Sequence, residues 1–201
     1  MKASYTMYDT FSTCPHQHYR LYLDKTDKVK RATSDALEKG IRIHEGIEKW
    51  MLDESTVLPE EVHGSWRPMM LEIKDQAPEV EAFLQNDIAL GKLDAYKPGE
   101  YTLDWKSGKP RVSDPGKREQ LRFYAWLAKE DLKASLCWVE HPFEKSMVTI
   151  DIKYTQILDS VWRNRIEKMF DNDGQTKTKS WKCNWCPVED CEFFKNWKKG
   201  P

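Results

Sequence analysis

A strand–turn–strand pattern between Gly91 and Lys106 constrains this chain more than any other feature. Lys97-Pro98-Gly99-Glu100 has the composition of a tight turn, because proline presets one backbone angle and glycine tolerates a positive one. Beyond it, Tyr101, Leu103 and Trp105 alternate with Thr102, Asp104 and Lys106. A side-chain period of two puts the first three on one face of a sheet and Asp104 with Lys106 on the other. The pattern predicts a β-hairpin whose first strand brings Asp94 back towards that pair.

Two carboxylates and a lysine converging on a sheet surface suit phosphodiester chemistry assisted by a divalent ion. Carboxylate oxygens hold a hard cation such as Mg²⁺ while leaving positions for water. The ion acidifies a bound water and stabilises charge on phosphate, and a lysine can orient or deprotonate that water or neutralise an oxyanion. The plainer alternative is an exposed hairpin face with a surface Asp–Lys pair.

A chain of 201 residues supports one sizeable α/β core with at most a peripheral element. Charged residues make up 32% and nearly cancel, leaving a formal net charge of −1, so bulk basicity does not mark a nucleic-acid binder; positive charge would have to be local. No run of 18 apolar residues and no leader pattern is present, which predicts a cytoplasmic protein without a membrane span.

Along the chain, Ser12 or Thr13 is expected to cap a short helix reaching about Leu23, with Pro15 in its first turn. A first long helix opens near Ser34-Asp35. Leu37, Ile41, His44, Ile47 or Glu48, and Met51 follow its three-to-four spacing, which turns His44 inward beside Gly40 and Gly46. His44 is either a satisfied semi-buried histidine or a ligand. Residues 54–68 are irregular, and Met69–Asp75 and Pro78–Leu84 fit short helix or strand equally. Glu81 in the second of these is either a further acid near the hairpin or a surface residue.

Gly108–Gly116 reads as a loop, with Lys109, Arg111, Lys117 and Arg118 supplying positive charge for phosphate contact or for solvent. Lys117–Glu130 is a helix buried through Leu121, Tyr124, Leu127 and Ala128. Gln120 and Tyr124 are neighbours on it, able to bind a phosphate or a nucleotide or simply to cap the sheet edge. Ala134–Glu140 and Met147–Ile152 form a second hairpin, with Cys137 an inert core residue. Thr155 caps a last helix to about Phe170, its core side carrying Leu158, Val161, Trp162, Ile166, Met169 and Phe170, and 171–180 is a linker.

Cys183, Cys186 and Cys191 stand in a C-x-x-C-x-x-x-x-C knuckle. In a reducing compartment such clustering favours metal over disulfide. The fourth ligand would be Cys14, with His16 or His18 as substitutes in a zinc site; four thiolates suit tetrahedral zinc or a 4Fe–4S cluster. Joining Cys14 to the knuckle staples both ends of the chain. Trp181, Trp185, Phe193, Phe194 and Trp197 with Lys195, Lys198 and Lys199 serve either as cover for the metal or as a stacking surface for an unpaired strand.

Taken in order, His44 on a helix, Gly91-x-x-Asp94, Asp104-x-Lys106 and Gln120-x-x-x-Tyr124, framed by Cys14 and Cys183, Cys186 and Cys191, resemble the PD-(D/E)xK nuclease superfamily. The resemblance is greatest to its RecB-like iron–sulfur branch, which includes CRISPR-associated RecB-like exonucleases, the AddB-type nuclease and phage-encoded relatives. It runs from about Cys14 to Cys191, and Leu93 stands where many members have proline.

The resemblance implies a restriction-endonuclease-like α/β fold, a mixed central sheet flanked by helices, as a single nuclease domain over 1–201. Residues 31–173 would form its core, with 1–30 and 174–201 joined as a cap at a cysteine-ligated cluster. It further implies that His44, Asp94, Asp104 and the carbonyl of Trp105 hold Mg²⁺ or Mn²⁺. Lys106 would be the catalytic lysine, Gln120 and Tyr124 would support the site and touch DNA, and Cys14, Cys183, Cys186 and Cys191 would hold a 4Fe–4S cluster, with Zn²⁺ as the alternative. The implied reaction is exonucleolytic hydrolysis of single-stranded DNA ends in phage or prokaryotic recombination, replication or CRISPR spacer processing, with a recombination or CRISPR-adaptation protein as partner. The rival readings are a non-catalytic DNA-binding module or partner subunit that keeps the fold, and a zinc-knuckle protein.

Overall fold

A computed structural model describes residues 1–24, 34–53 and 55–194. Lys195, Trp197, Lys198 and Lys199 lie outside the described residues, as do the side chains of Trp181 and Trp185. In chain order the helices are α1 Tyr5–Thr13, α2 Pro15–His18, α3 Asp35–Leu52, α4 Arg67–Asp75, α5 Pro115–Ala128 and α6 Gln156–Phe170; the strands are β1 Glu79–Gln85, β2 Leu90–Lys97, β3 Tyr101–Lys106, β4 Leu132–Trp138 and β5 Met147–Ile152. The chain divides into two compact units, one of residues 1–32 with 160–201, the other of residues 33–159. Among the described residues no helix is long and apolar enough to cross a membrane.

The larger unit is a five-stranded mixed sheet in the order β1-β2-β3-β4-β5. All neighbours are antiparallel except β3 and β4, which run parallel and are joined through α5. The expected hairpin is present. Glu100 N–H donates to the Lys97 carbonyl at 3.1 Å, and Gly99 has φ +72°, which the turn requires and glycine accepts freely. Leu103 and Trp105 enter a core with Ile43, Ile47, Trp50, Trp66 and Met70 from the α3–α4 side. Gly91 abuts α5, where an added Cβ would stand 2.8 Å from Leu127 Cδ1. The sheet is thus covered by helices on both faces, as a restriction-endonuclease-like core requires. The ambiguous segments resolve as helix α4 and strand β1, and the second hairpin forms from β4 and β5.

Two local expectations are corrected. Helix α3 buries Ile47 and Met51 as expected, but with Ile43 and Trp50 beside them, and leaves Leu37 and Ile41 about half exposed. Both stripes are apolar at helical spacing, and the bulkier one, with Trp50, takes the core. At the N-terminus a further helix, α1, precedes α2 and is capped by Ser4, whose side chain accepts from Met7 N–H at 3.3 Å. Ser12 and Thr13 cap nothing and donate back to the Asp9 carbonyl. Thr155 does cap α6, accepting from Leu158 N–H at 3.1 Å. In the smaller unit Met7, His18, Trp162, Ile166, Met169 and Val188 are each buried, and Tyr8 meets Trp162 edge-on at 5.0 Å.

Candidate active site

The sheet is interrupted along one line. Ladder pairs run Val80↔Ala95 and Ala82↔Leu93, skipping Glu81, which has φ +56° although it is not glycine. Between β2 and β3 the described pairs end at Ala95↔Leu103. Beyond them the Asp94 carboxylate replaces a backbone partner, its Oδ2 accepting from Trp105 N–H at 2.6 Å. That bond carries Asp94 across the hairpin to the Asp104–Lys106 pair, as the strand pattern implies.

Asp104 is 4% exposed. Its Oδ1 accepts from Gln120 Nε2 at 3.2 Å and from Tyr124 OH at 3.1 Å, and Gln120 Nε2 also donates to the Tyr124 oxygen at 2.8 Å. Both donors are one helical turn apart on the buried side of α5, which the parallel β3–α5–β4 crossover lays against the sheet. Neither lies on the open surface. Asp104 Oδ2 is taken by Lys106 Nζ in an ion pair. Burial raises the pKa of Asp104, opposed by the Lys106 charge and reinforced by Asp94. Tyr124 is pushed well up by burial and by the Asp104 charge, so it remains a hydrogen-bond donor.

His44 Nδ1 stands 3.4 Å from Asp94 Oδ2. Burial disfavours its imidazolium, but the hydrogen bond and charge of Asp94, with the charge of Asp104, outweigh that and raise its pKa. Helix α3 is held near β3 by close approach. A Cβ on Gly40 would sit 3.0 Å from Ser107 Oγ, while Lys39 pairs with Glu140 at 2.6 Å, whose other oxygen accepts from Gly108 N–H at 3.1 Å. This Glu140 clamp has no signature in the sequence, since its partners are distant along the chain. An open cleft of about 500 Å³ runs along the site, lined by Leu37, Ile41, His44, Glu45, Glu81, Lys92, Asp94 and Ser107 among others. Glu81 is therefore at the cleft, ion-paired with Lys92. Of the basic residues beyond β3, Lys109, Arg111 and Arg118 are exposed and Lys117 is half-buried.

In the smaller unit, Cys14, Cys183, Cys186 and Cys191 line one small cavity with His16, Lys182 and Phe194. All four are free thiols, and the pKa of Cys186 is raised by burial and by the neighbouring Cys14, Cys191 and Cys183. Segment 172–176 is strapped onto α2. His16 N–H donates to the Thr176 carbonyl at 2.9 Å, Asn172 Nδ2 to the Pro15 carbonyl at 2.7 Å, and His16 Nδ1 lies 2.7 Å from the Gly174 carbonyl. His18 is instead buried among Phe11 and Tyr22. Cys137 is fully buried in β4, its thiol pushed well up by burial. Among the described residues, no three His, Cys, Asp or Glu side chains stand close enough to hold a single metal ion.

A profile of the PD-(D/E)XK nuclease superfamily matches residues 93–191, a span holding Asp94, Asp104, Lys106, Gln120, Tyr124 and the three knuckle cysteines. Two solved structures are similar. A candidate exonuclease from Eubacterium rectale is 10% identical, with TM-score 0.49 over 95% of this chain and 86% of its own. A phage-related exonuclease from Haemophilus somnus 129PT is 14% identical, with TM-score 0.40 over 87% of this chain and 94% of its own. No curated protein matches the sequence.

Proposed function

We propose that the chain is a metal-dependent DNA nuclease of the PD-(D/E)XK superfamily acting on single-stranded ends, a reading supported by its match to that superfamily over residues 93–191. The observation that carries this reading is the pairing of His44 with Asp94 at an open cleft and of Asp104 with Lys106 on the neighbouring strand, with Asp104 locked from behind by Gln120 and Tyr124. A binding module without chemistry has no use for a buried carboxylate fixed through one oxygen and paired to a lysine through the other.

By the chemistry of its donors, two carboxylates and an imidazole, the site suits Mg²⁺ or Mn²⁺, for which Asp104 Oδ2 would exchange its Lys106 partner. His44, Asp94, Asp104 and the carbonyl of Trp105 would hold the ion. When bound, the ion supplies an acidified water and neutralises charge on phosphate. The protein's own contribution is positional. Gln120 and Tyr124 set the rotation of the Asp104 carboxylate, and Trp105 N–H sets that of Asp94. Lys106, half-buried beside Asp104, is placed to orient the attacking water or to meet a phosphate oxygen.

Cys14, Cys183, Cys186 and Cys191 are proposed to hold a 4Fe–4S cluster with a structural role. The support is their shared cavity and the raised pKa of the Cys186 thiol, caused by burial and by the three cysteines around it, which a metal relieves by binding the thiolate. A cluster takes one thiolate per iron and so requires less convergence than tetrahedral zinc, the alternative occupant. One nuclease domain with a cluster-bound cap, acting in recombination, replication or CRISPR spacer processing beside a protein partner, is the biological setting proposed.

The test is degradation of end-labelled single-stranded DNA with Mg²⁺ or Mn²⁺, protected from oxygen, comparing wild type with Asp104→Ala. Metal-dependent release of label that disappears in the variant is the expected result. Cleavage that survives in Asp104→Ala would place the chemistry elsewhere, and inactivity of a folded wild type would favour a binding module or partner subunit.

A further inference from the structure

Helix α3 and strand β1 leave three large apolar side chains uncovered beside the cleft. Leu37 is 50% exposed, Ile41 49% and Phe83 59%. Leu37 and Ile41, four apart on α3, line the cleft together with Lys92. Phe83 is the ladder partner of Lys92, and directly opposed residues on antiparallel strands share a face. The next pair, Leu84↔Gly91, has its Gly91 side turned onto α5, so Phe83 and Lys92 stand on the opposite, cleft-side face. The Lys92–Glu81 ion pair across the same strands agrees with that placement.

Phe83 therefore stands two residues along β1 from Glu81, about 7 Å by strand geometry, with a lysine opposite and an aliphatic wall supplied by α3. Burying such side chains inside would have been favourable by roughly 2 kcal/mol each, so their exposure at one place asks for a partner. An aromatic face, a cation and apolar walls, continuous with carboxylates that act on phosphodiesters, match an unpaired nucleotide: the ring stacks a base and the lysine meets the backbone. A duplex hides its base faces and has nothing to offer Phe83.

Building on the nuclease reading above, we infer that Phe83 is a stacking platform for one base of an unpaired DNA strand, with Leu37 and Ile41 as the facing wall, so that it selects single strands at the site. Because Phe83 is mostly exposed, replacing it leaves the core intact.

The test measures binding separately from cleavage. Anisotropy of an end-labelled unpaired strand is recorded with Ca²⁺ as the ion, for wild type, Phe83→Ala and Phe83→Trp, on an intact strand and on a set of strands each lacking one base. Phe83→Ala is expected to weaken binding about ten-fold, the size of one base–aromatic stack, and Phe83→Trp to retain it. At one position, loss of the base weakens the wild type by a similar factor and Phe83→Ala not at all. Equal affinity of Phe83→Ala and wild type overturns the platform, as does base loss that weakens both alike, or a wild type that binds no unpaired strand. Asp104-dependent cleavage with indifference to Phe83 would leave the nuclease reading standing and remove the platform. Phe83-dependent binding without any cleavage would do the reverse.

Discussion

The sheet site and the cysteine cavity both gather titratable side chains from distant parts of the chain, but they are built in opposite ways. At the sheet site the scaffold comes first: strand ladders, the α5 crossover and a buried core place Asp94 and Asp104 before any ligand arrives. Around the cysteines, a short helix, a 3₁₀ turn at Trp181–Trp185 and a handful of long-range hydrogen bonds hold the segments together. The first is a fold that makes a site. The second is proposed to be a site that completes a fold, and the two should fail differently.

Asp104→Ala tests the first half with the largest effect. Loss of a carboxylate proposed to hold the ion is expected to lower cleavage by about 10³-fold or more, since such ions contribute several kcal/mol to phosphoryl chemistry. Thermal stability measured in EDTA should change far less than activity, because relief of a buried charge whose ionisation burial opposes partly offsets the loss of the Lys106 pair and of the Gln120 and Tyr124 hydrogen bonds. A large drop in Tm without a drop in kcat would reverse the comparison.

Cys186→Ser should show the opposite pattern. It is expected to lose bound iron, read by absorbance and metal analysis, and to lower Tm by about ten degrees or more, because binding energy at such a site is folding energy. Activity per folded molecule should persist. Iron lost with Tm unchanged would mean that the cap folds without its metal.

Tyr124→Phe sharpens the account of the sheet site. It removes one of two donors to Asp104 Oδ1 and leaves Gln120 in place. Activity should fall about ten-fold, with a higher Mn²⁺ requirement, as for other groups that orient a ligating residue, while stability changes by about 1 kcal/mol. An unaltered metal requirement would limit Tyr124 to packing.

The same contrast explains what the sequence disclosed. The hairpin was legible because a Pro-Gly turn and a period of two are local, and the β3–Asp104–Lys106 face followed from them. Gln120 and Tyr124 were legible as a helical pair, but not that both turn inward onto Asp104, which depends on the crossover. Helix α3 was legible as a helix; which of its two apolar stripes faces the core was not, because Trp50 and Ile43 win only once α4 is packed against them. The left-handed backbone at Glu81 and the Glu140 clamp carry no local signal, since glutamate gives no hint of positive φ and the partners of Glu140 lie up to 101 residues away. At the cysteine cavity the spacing was legible, and the π-helical turn at Tyr19–Leu23 and the strap of 172–176 were not.

The smallest effect probes the fragile side of the comparison through pH. His18 is fully buried, and burial lowers its pKa to about 4 from the ordinary 6.5. Asn172 Nδ2 lies 3.5 Å from its Nδ1, and Nε2 has no partner, so the pocket accommodates the neutral ring and has nothing for an added proton. In the unfolded chain the imidazole takes up a proton below pH 6.5, whereas in the folded chain it does not until about pH 4. The unfolded state therefore binds more protons across that window, and stability falls as the pH is lowered through it. At pH 5.5 the loss relative to pH 7.5 is about 1.4 kcal/mol, one pH unit below the unfolded pKa. Urea titrations at the two pH values, followed by fluorescence, should show that loss in wild type and its absence in His18→Phe, whose ring keeps the contacts with Phe11 and Tyr22. If His18→Phe loses stability on acidification as steeply as wild type, the acid sensitivity belongs to another group and His18 is ordinary packing.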